Sequence, residues 1–181
     1  FVGLSMGGYI LFALYRKHAD RVKGLVLADT RAQADTPEGK EGRFQMAQTA
    51  YKKGPSAVAD IMIPKLLSPV TIRTRPEIVH RVRMMIEGNQ VSGIAGDLMA
   101  MAERPDSIPL LKQINCPTQI VVGELDHATP LSDATLMADQ IPGARLAIIP
   151  GAAHLANVEQ PERFTHIVRS FIESVAETQR R

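Results

Sequence analysis

Three short apolar runs, set among segments of helical periodicity, constrain the fold of this chain more than any other feature. Residues 22–29 (Val-Lys-Gly-Leu-Val-Leu-Ala-Asp), 118–126 and 145–151 are rich in apolar side chains over lengths typical of strands. Runs of this kind suit strands covered on both faces, as in a parallel sheet. Helical spacing marks the neighbouring segments. Residues 6–18 carry Ile10, Leu11, Ala13 and Leu14; residues 131–141 end at Pro142-Gly143; residues 161–175 open on Pro161 and carry Phe164, Ile167, Val168, Phe171, Ile172 and Val175. Proline suits a first helical turn because its missing N–H would be unpaired there. Strand and helix in alternation predict a parallel α/β sheet with its own crossovers. Residues 1–3 read as a strand stub, so a half-sheet of three full strands is expected, and its open apolar edge would invite pairing with another chain.

The segment 35–109 breaks this alternation. It is long, rich in helix formers and punctuated by Pro55, Pro64, Pro69, Pro76 and Pro105. The expected organisation is therefore residues 1–34 and 110–181 as one sheet-bearing core and residues 35–109 as an inserted helical cap. Met46, Met62, Met84, Met85, Met99 and Met101 fall in the insertion. They read as ordinary helical core, or alternatively as an adaptable lining for acyl chains.

Composition narrows the function. The chain has 181 residues, is 45% hydrophobic and 22% charged, and carries a net charge of +2, which fits one soluble globular domain. Its basic residues are scattered: Arg16-Lys17, Lys52-Lys53, Arg73 with Arg75, Arg81 with Arg83, and Arg180-Arg181. With aromatics at 4% and no tryptophan, no stacking platform accompanies them, so nucleic-acid binding is not expected. No run approaches the length needed to span a bilayer, and no signal peptide precedes the first motif, so no membrane partner and a cytoplasmic location are expected. The single cysteine, Cys116, precludes an internal disulfide and a multi-cysteine zinc site. Placed just before Pro117, it reads as a small core residue.

The chemistry-bearing motif is Gly3-Leu4-Ser5-Met6-Gly7-Gly8, a serine between glycines at the junction of strand stub and helix. This is the pattern of a nucleophile elbow, a strained turn that exposes the serine hydroxyl. Serine needs a base to take its proton, and the usual base is a histidine oriented by a carboxylate. Asp126 follows the second full run, in Gly123-Glu124-Leu125-Asp126-His127-Ala128-Thr129-Pro130. His154 follows the third, in Pro150-Gly151-Ala152-Ala153-His154-Leu155. Residues that follow neighbouring parallel strands converge at the carboxyl edge of the sheet, so Ser5, Asp126 and His154 are expected to meet there. Asp29, at the end of the first full run, is an alternative acid. His127 is expected to point elsewhere on its loop, and His18, His80 and His166 to lie on helix surfaces. No pair of histidines has metal-ligand spacing, so no metal and no cofactor are expected.

These motifs, with the later Glu159-Gln160-Pro161-Glu162-Arg163-Phe164, carry a resemblance. In order and context the chain resembles the larger, C-terminal part of an α/β-hydrolase, in the esterase and enol-lactonase-like branch with a helical cap. The resemblance implies a partial α/β-hydrolase sheet with an inserted cap, Ser5 as nucleophile, Asp126 as orienting acid and His154 as general base. It implies the amide of Met6 as one oxyanion donor. A second donor would come from a loop after an early strand, and no such loop precedes Ser5. The chain is thus expected to lack an N-terminal segment, to be completed by that segment or by assembly into a homo-oligomer.

The expected activity is cleavage of small carboxylic esters through a Ser-His-Asp triad and an acyl-enzyme. The alternatives are lactone, amide or carbon–carbon bond hydrolysis by the same triad, or a non-catalytic remnant serving as an oligomerisation module.

Overall fold

The computed structural model describes residues 1–178; the Arg180-Arg181 pair noted above lies outside the described residues. Along the chain the elements are β1 (Val2–Leu4), α1 (Met6–His18), β2 (Leu25–Ala28), α2 (Pro37–Leu66), α3 (Pro69–Thr74), α4 (Pro76–Glu87), α5 (Val91–Ala102) and α6 (Ile108–Leu111). They continue with β3 (Thr118–Gly123), α7 (Leu131–Gln140), β4 (Arg145–Ile149), α8 (Ala156–Glu159) and α9 (Pro161–Thr178). The chain divides into two compact units, residues 1–32 with 107–181, and residues 33–106.

The first unit is built on a parallel sheet of four strands in the order β1-β2-β3-β4. The strand stub is therefore a full member of the sheet, and the expectation of three strands is corrected to four. Val2, Gly3 and Leu4 pair in register with Val26, Leu27 and Ala28. Each apolar run contributes a shorter strand than expected, because its ends turn. Val22 N–H closes a short 3-10 turn on Ala19 O at 3.1 Å, Asp126 N–H turns back to Gly123 O at 3.1 Å, and Gly151 at φ 71° ends the last run.

Every residue of β2 and β3 is buried, as expected for inner strands covered on both faces. Alternation sorts their side chains into two layers. Leu25, Leu27, Ile120 and Val122 join Leu11, Phe12 and Tyr15 of α1 and Met137 of α7 in one core. Val26, Ala28 and Val121 join Ile149 and Phe171 of α9 in the other. Cys116 is half-buried against the first core, and burial raises its thiol pKa. Residues 32 and 107, where the chain leaves this unit and returns to it, are hydrogen-bonded: Ser107 N–H donates to Ala32 O at 2.9 Å, and Arg16 donates to the Ser107 hydroxyl at 3.0 Å.

The second unit is helical, from α2 through α5. Its prolines act mainly as helix starters. Pro37, Pro69 and Pro76 each occupy a first turn, and the hydroxyls of Thr36 and Ser68 cap the first two of those helices by accepting from Gly39 N–H and Thr71 N–H, both at 3.2 Å. Gly54, at φ 79° before Pro55, kinks α2. The buried apolar residues are Ala47, Ala50, Val58, Ala59, Ile63, Leu67, Ile78, Val82, Ala95 and Ala102, with Ser68 and Thr71 buried beside them. Met84 and Met85 are exposed, which corrects the reading of these two as core, while Met46, Met62, Met99 and Met101 are half-buried at its margin. The largely shielded carboxylate of the half-buried Asp35 lies between Arg43 at 2.7 Å and Arg104 at 2.8 Å, which joins the two ends of the unit.

Candidate active site

Ser5 follows β1 directly and sits at φ 52°, ψ −114°, a region costly for a residue with a Cβ. Its backbone is fixed from three sides. Ser5 N–H donates to Ala28 O at 2.9 Å, and Ser5 O accepts from Gly8 N–H at 2.9 Å and from the Thr30 hydroxyl at 2.7 Å. A Cβ on Gly3 would overlap the carbonyl of Gly7, and one on Gly8 would overlap the Thr30 side chain, whereas Gly7 has open space there. The tight approach thus rests on Gly3 and Gly8, the first and last residues of the motif. Met6 opens α1, so its amide belongs to the first turn, whose N–H groups have no partner within the helix.

His154 lies in the loop between β4 and α8 and is buried, as is Asp126 after β3. The structure brings Ser5, His154 and Asp126 together. His154 Nε2 is 2.8 Å from Ser5 Oγ, and His154 Nδ1 is 2.9 Å from Asp126 Oδ2. A carboxylate facing Nδ1 assigns the proton to that nitrogen, which leaves Nε2 to accept from the serine hydroxyl. Asp126 is heavily solvated by the protein. Its Oδ1 accepts from the amides of Ala128 at 2.8 Å and Thr129 at 2.9 Å, and its Oδ2 accepts from the Thr129 hydroxyl at 2.7 Å. Burial alone would raise its pKa, but the His154 ring and the Thr129 donors outweigh burial and hold it below the ordinary value.

The acid and base loops are laced together. Leu125 N–H donates to Ala152 O at 2.8 Å, Glu124 N–H to Ile149 O at 3.0 Å, and Gly151 N–H to the Glu124 carboxylate at 2.9 Å. The buried Glu159 carboxylate accepts from Ala153 N–H at 2.6 Å, one residue before the imidazole. A Cβ at Gly123 would overlap the carbonyls of Ala152 and Ala153.

Asp29 is fully buried at φ 42° and stands apart from the imidazole nitrogens, its oxygens accepting from the amides of Gly123 at 2.8 Å and Ala156 at 3.3 Å. Burial first, with help from the Asp126 charge, pushes its pKa up to about 7 against those amides and His154. His127, His18, His80 and His166 are exposed and away from this cluster of bonds. Among the described residues, no group of three or more His, Cys, Asp or Glu side chains is placed to hold a metal ion, and no helix is long and apolar enough to cross a membrane. The sequence singled out Thr129 and Glu159 only as members of motifs, without a role, and did not single out Thr30. The signal available for Thr129 was its place three residues after an aspartate, where a loop hydroxyl turns back on the carboxylate.

A parallel sheet whose carboxyl ends hold a strained serine, a buried histidine and a buried aspartate defines a class, and comparison with known proteins agrees. Residues 1–161 match the family model of the alpha/beta hydrolase fold, and the chain belongs to that family. Among solved structures it is similar to a thermophilic esterase from Thermogutta terrifontis, with 44% identity and a TM-score of 0.92 over 96% of this chain and 64% of that one. It is similar also to an enol-lactonase from Burkholderia xenovorans, with 29% identity and a TM-score of 0.87 over 96% of this chain and 65% of that one. A curated relative, 3-oxoadipate enol-lactonase 2 of Acinetobacter baylyi, is 28% identical over 170 residues, 94% of this chain and 62% of that protein. The chain thus spans somewhat less than two thirds of the length of these relatives.

Proposed function

We propose that the whole protein hydrolyses carboxylic esters through an acyl-enzyme on Ser5. The observation that carries this reading is the continuous hydrogen-bonded chain from Ser5 Oγ through His154 to Asp126, with steps of 2.8 and 2.9 Å. In the proposed reaction Ser5 Oγ attacks the ester carbonyl carbon while His154 Nε2 takes its proton. The carbonyl oxygen becomes an oxyanion, to which the Met6 amide donates. Collapse breaks the bond to the alcohol oxygen, which leaves with the proton held by His154, and the acyl group stays on Ser5. Water then attacks the acyl-enzyme, gives its proton to His154, and releases the acid with Ser5 reprotonated. Asp126 keeps Nδ1 protonated and stabilises the imidazolium formed in each half-reaction.

A second oxyanion donor is expected from elsewhere in the whole protein or from a partner chain. Losing one such donor costs a comparable serine enzyme about 3 to 4 kcal/mol, so turnover by this chain alone is expected to be slow. A second reading, hydrolysis of a lactone as an internal ester, is favoured by the two relatives named as enol-lactonases. The test is labelling with a fluorophosphonate followed by mass spectrometry, beside turnover of short p-nitrophenyl esters and of lactones. Modification at Ser5, absent in Ser5→Ala, supports the reading; modification at another serine overturns it. Faster turnover of lactones than of open esters would select the second reading.

A further inference from the structure

Asp29 is a fully buried carboxyl that the reaction above does not use. Its position is unusual in what it joins. Oδ1 accepts from Gly123 N–H at 2.8 Å, at the last residue of β3 and shortly before Asp126. Oδ2 accepts from Ala156 N–H at 3.3 Å, at the first residue of α8 and just after His154. The next residue, Thr30, donates to Ser5 O at 2.7 Å. Two consecutive residues at the end of β2 therefore hold all three loops that meet at the imidazole.

We propose that Asp29 is a positioning residue, which fixes the distance between the Asp126 loop and the His154 loop by accepting one backbone amide from each. The proposal rests on the ester-hydrolase reading of Ser5. The physical reason is the geometry of the group: a carboxyl has two acceptor oxygens on one rigid plane, so it can tie two separate backbones at a set separation. A backbone amide is fixed to its loop, so a change at Asp29 is transmitted to the chain that carries each reacting group. Asparagine retains one acceptor and turns an amino group toward the other amide, donor against donor. Alanine removes both acceptors. A role limited to satisfying two buried amides would lower stability and leave the reactivity of Ser5 unchanged.

The experiment compares the parent chain with Asp29→Asn and Asp29→Ala by saturation kinetics of fluorophosphonate labelling at Ser5. It is paired with proton NMR of the ring proton between His154 Nδ1 and Asp126, which is readable whether or not Ser5 reacts. A displacement on the order of 1 Å costs about 100-fold in rate. Asp29→Ala is expected to lower the maximal labelling rate by about that factor and Asp29→Asn by about tenfold, with half-saturation unchanged and far-UV circular dichroism as in the parent. The ring-proton resonance is expected to shift or broaden in both. Parent rates in both variants, or a slowed reaction with an unmoved resonance, would overturn the proposal while leaving Ser5 as nucleophile. If the parent itself did not label, the hydrolase reading would fail and the resonance would decide: loss in Asp29→Ala upholds the positioning, an unchanged signal overturns it. Should Asp29→Ala not fold, Asp29→Asn carries the same two outcomes.

Discussion

The Thr129 hydroxyl donates to Asp126 Oδ2 at 2.7 Å, the same oxygen that faces His154 Nδ1 at 2.9 Å. One carboxylate oxygen therefore serves two donors, and the imidazole pairs with an acceptor already fixed in orientation. A hydrogen bond to a charged group contributes about 1.5 to 3 kcal/mol. Thr129→Val, which keeps the shape and removes the hydroxyl, is expected to slow Ser5 labelling at least about tenfold, and Thr129→Ser to restore most of the rate. Labelling kinetics of the two variants check this.

Gly123→Ala would place a methyl group against the carbonyls of Ala152 and Ala153, just ahead of His154. Backbone cannot yield as a flexible side chain does, so the loops must separate. Overpacking of this kind costs about 1 to 3 kcal/mol. The expected result is a folded protein with a lowered melting temperature and little Ser5 labelling; wild-type labelling would show that the loop accommodates the methyl.

Asp29 predicts an inverted pH dependence of stability. Its pKa is raised from 3.8 to about 7, so between those values the folded chain holds a proton that the unfolded chain has released. Stability from this group is fully present below the lower value and is lost as pH rises through the higher one, a change on the order of 4 kcal/mol. The neighbours that bear on it are Asp126, which raises its pKa, and His154, which lowers it. Asp126 is shifted the opposite way, so its own loss of stability falls below its ordinary pKa, outside this window. Urea unfolding at pH 5 and pH 8 should show a decline in the parent that is largely absent in Asp29→Asn.

In the helical unit, Asp35 is held below the ordinary carboxylate pKa: burial would raise it, and Arg43 and Arg104 more than offset that. Arg104 also donates to Gln33 O at 2.9 Å. Arg104→Met removes one of the two partners and is expected to cost about 2 kcal/mol at neutral pH, less than for a wholly unpaired buried charge because Arg43 remains. The loss should shrink as pH falls through the depressed pKa of Asp35. Unfolding curves at pH 7 and at a series of acid pH values measure it.

What was legible in the sequence follows from how locally each feature is specified. The apolar runs of β2 and β3 announced inner strands because burial on both faces leaves no polar alternation. Ser5, Asp126 and His154 were readable as a convergent set because each follows a strand of one parallel sheet. Strand ends were misjudged, since Val22, Leu125 and Gly151 continue an apolar or neutral pattern while their backbones turn. The roles of Thr30, Thr129 and Glu159 were not legible for another reason: the partner of a loop hydroxyl or carboxyl depends on which loops meet, and that is decided by the sheet order. Met84 and Met85 misled because apolar character was equated with interior position, while the buried positions of these helices are taken by alanine and branched aliphatic residues.

The bond between Ala32 and Ser107 makes the helical unit a detour that starts and finishes at one pinned junction. The sheet keeps its register on both sides of that junction without drawing on the detour's length. Segments with adjoining ends are the ones a chain can exchange at low cost. Residues 33–106 can therefore be replaced as a cassette, with the hydrogen-bonded chain at Ser5, which lies wholly in the other unit, inherited unchanged.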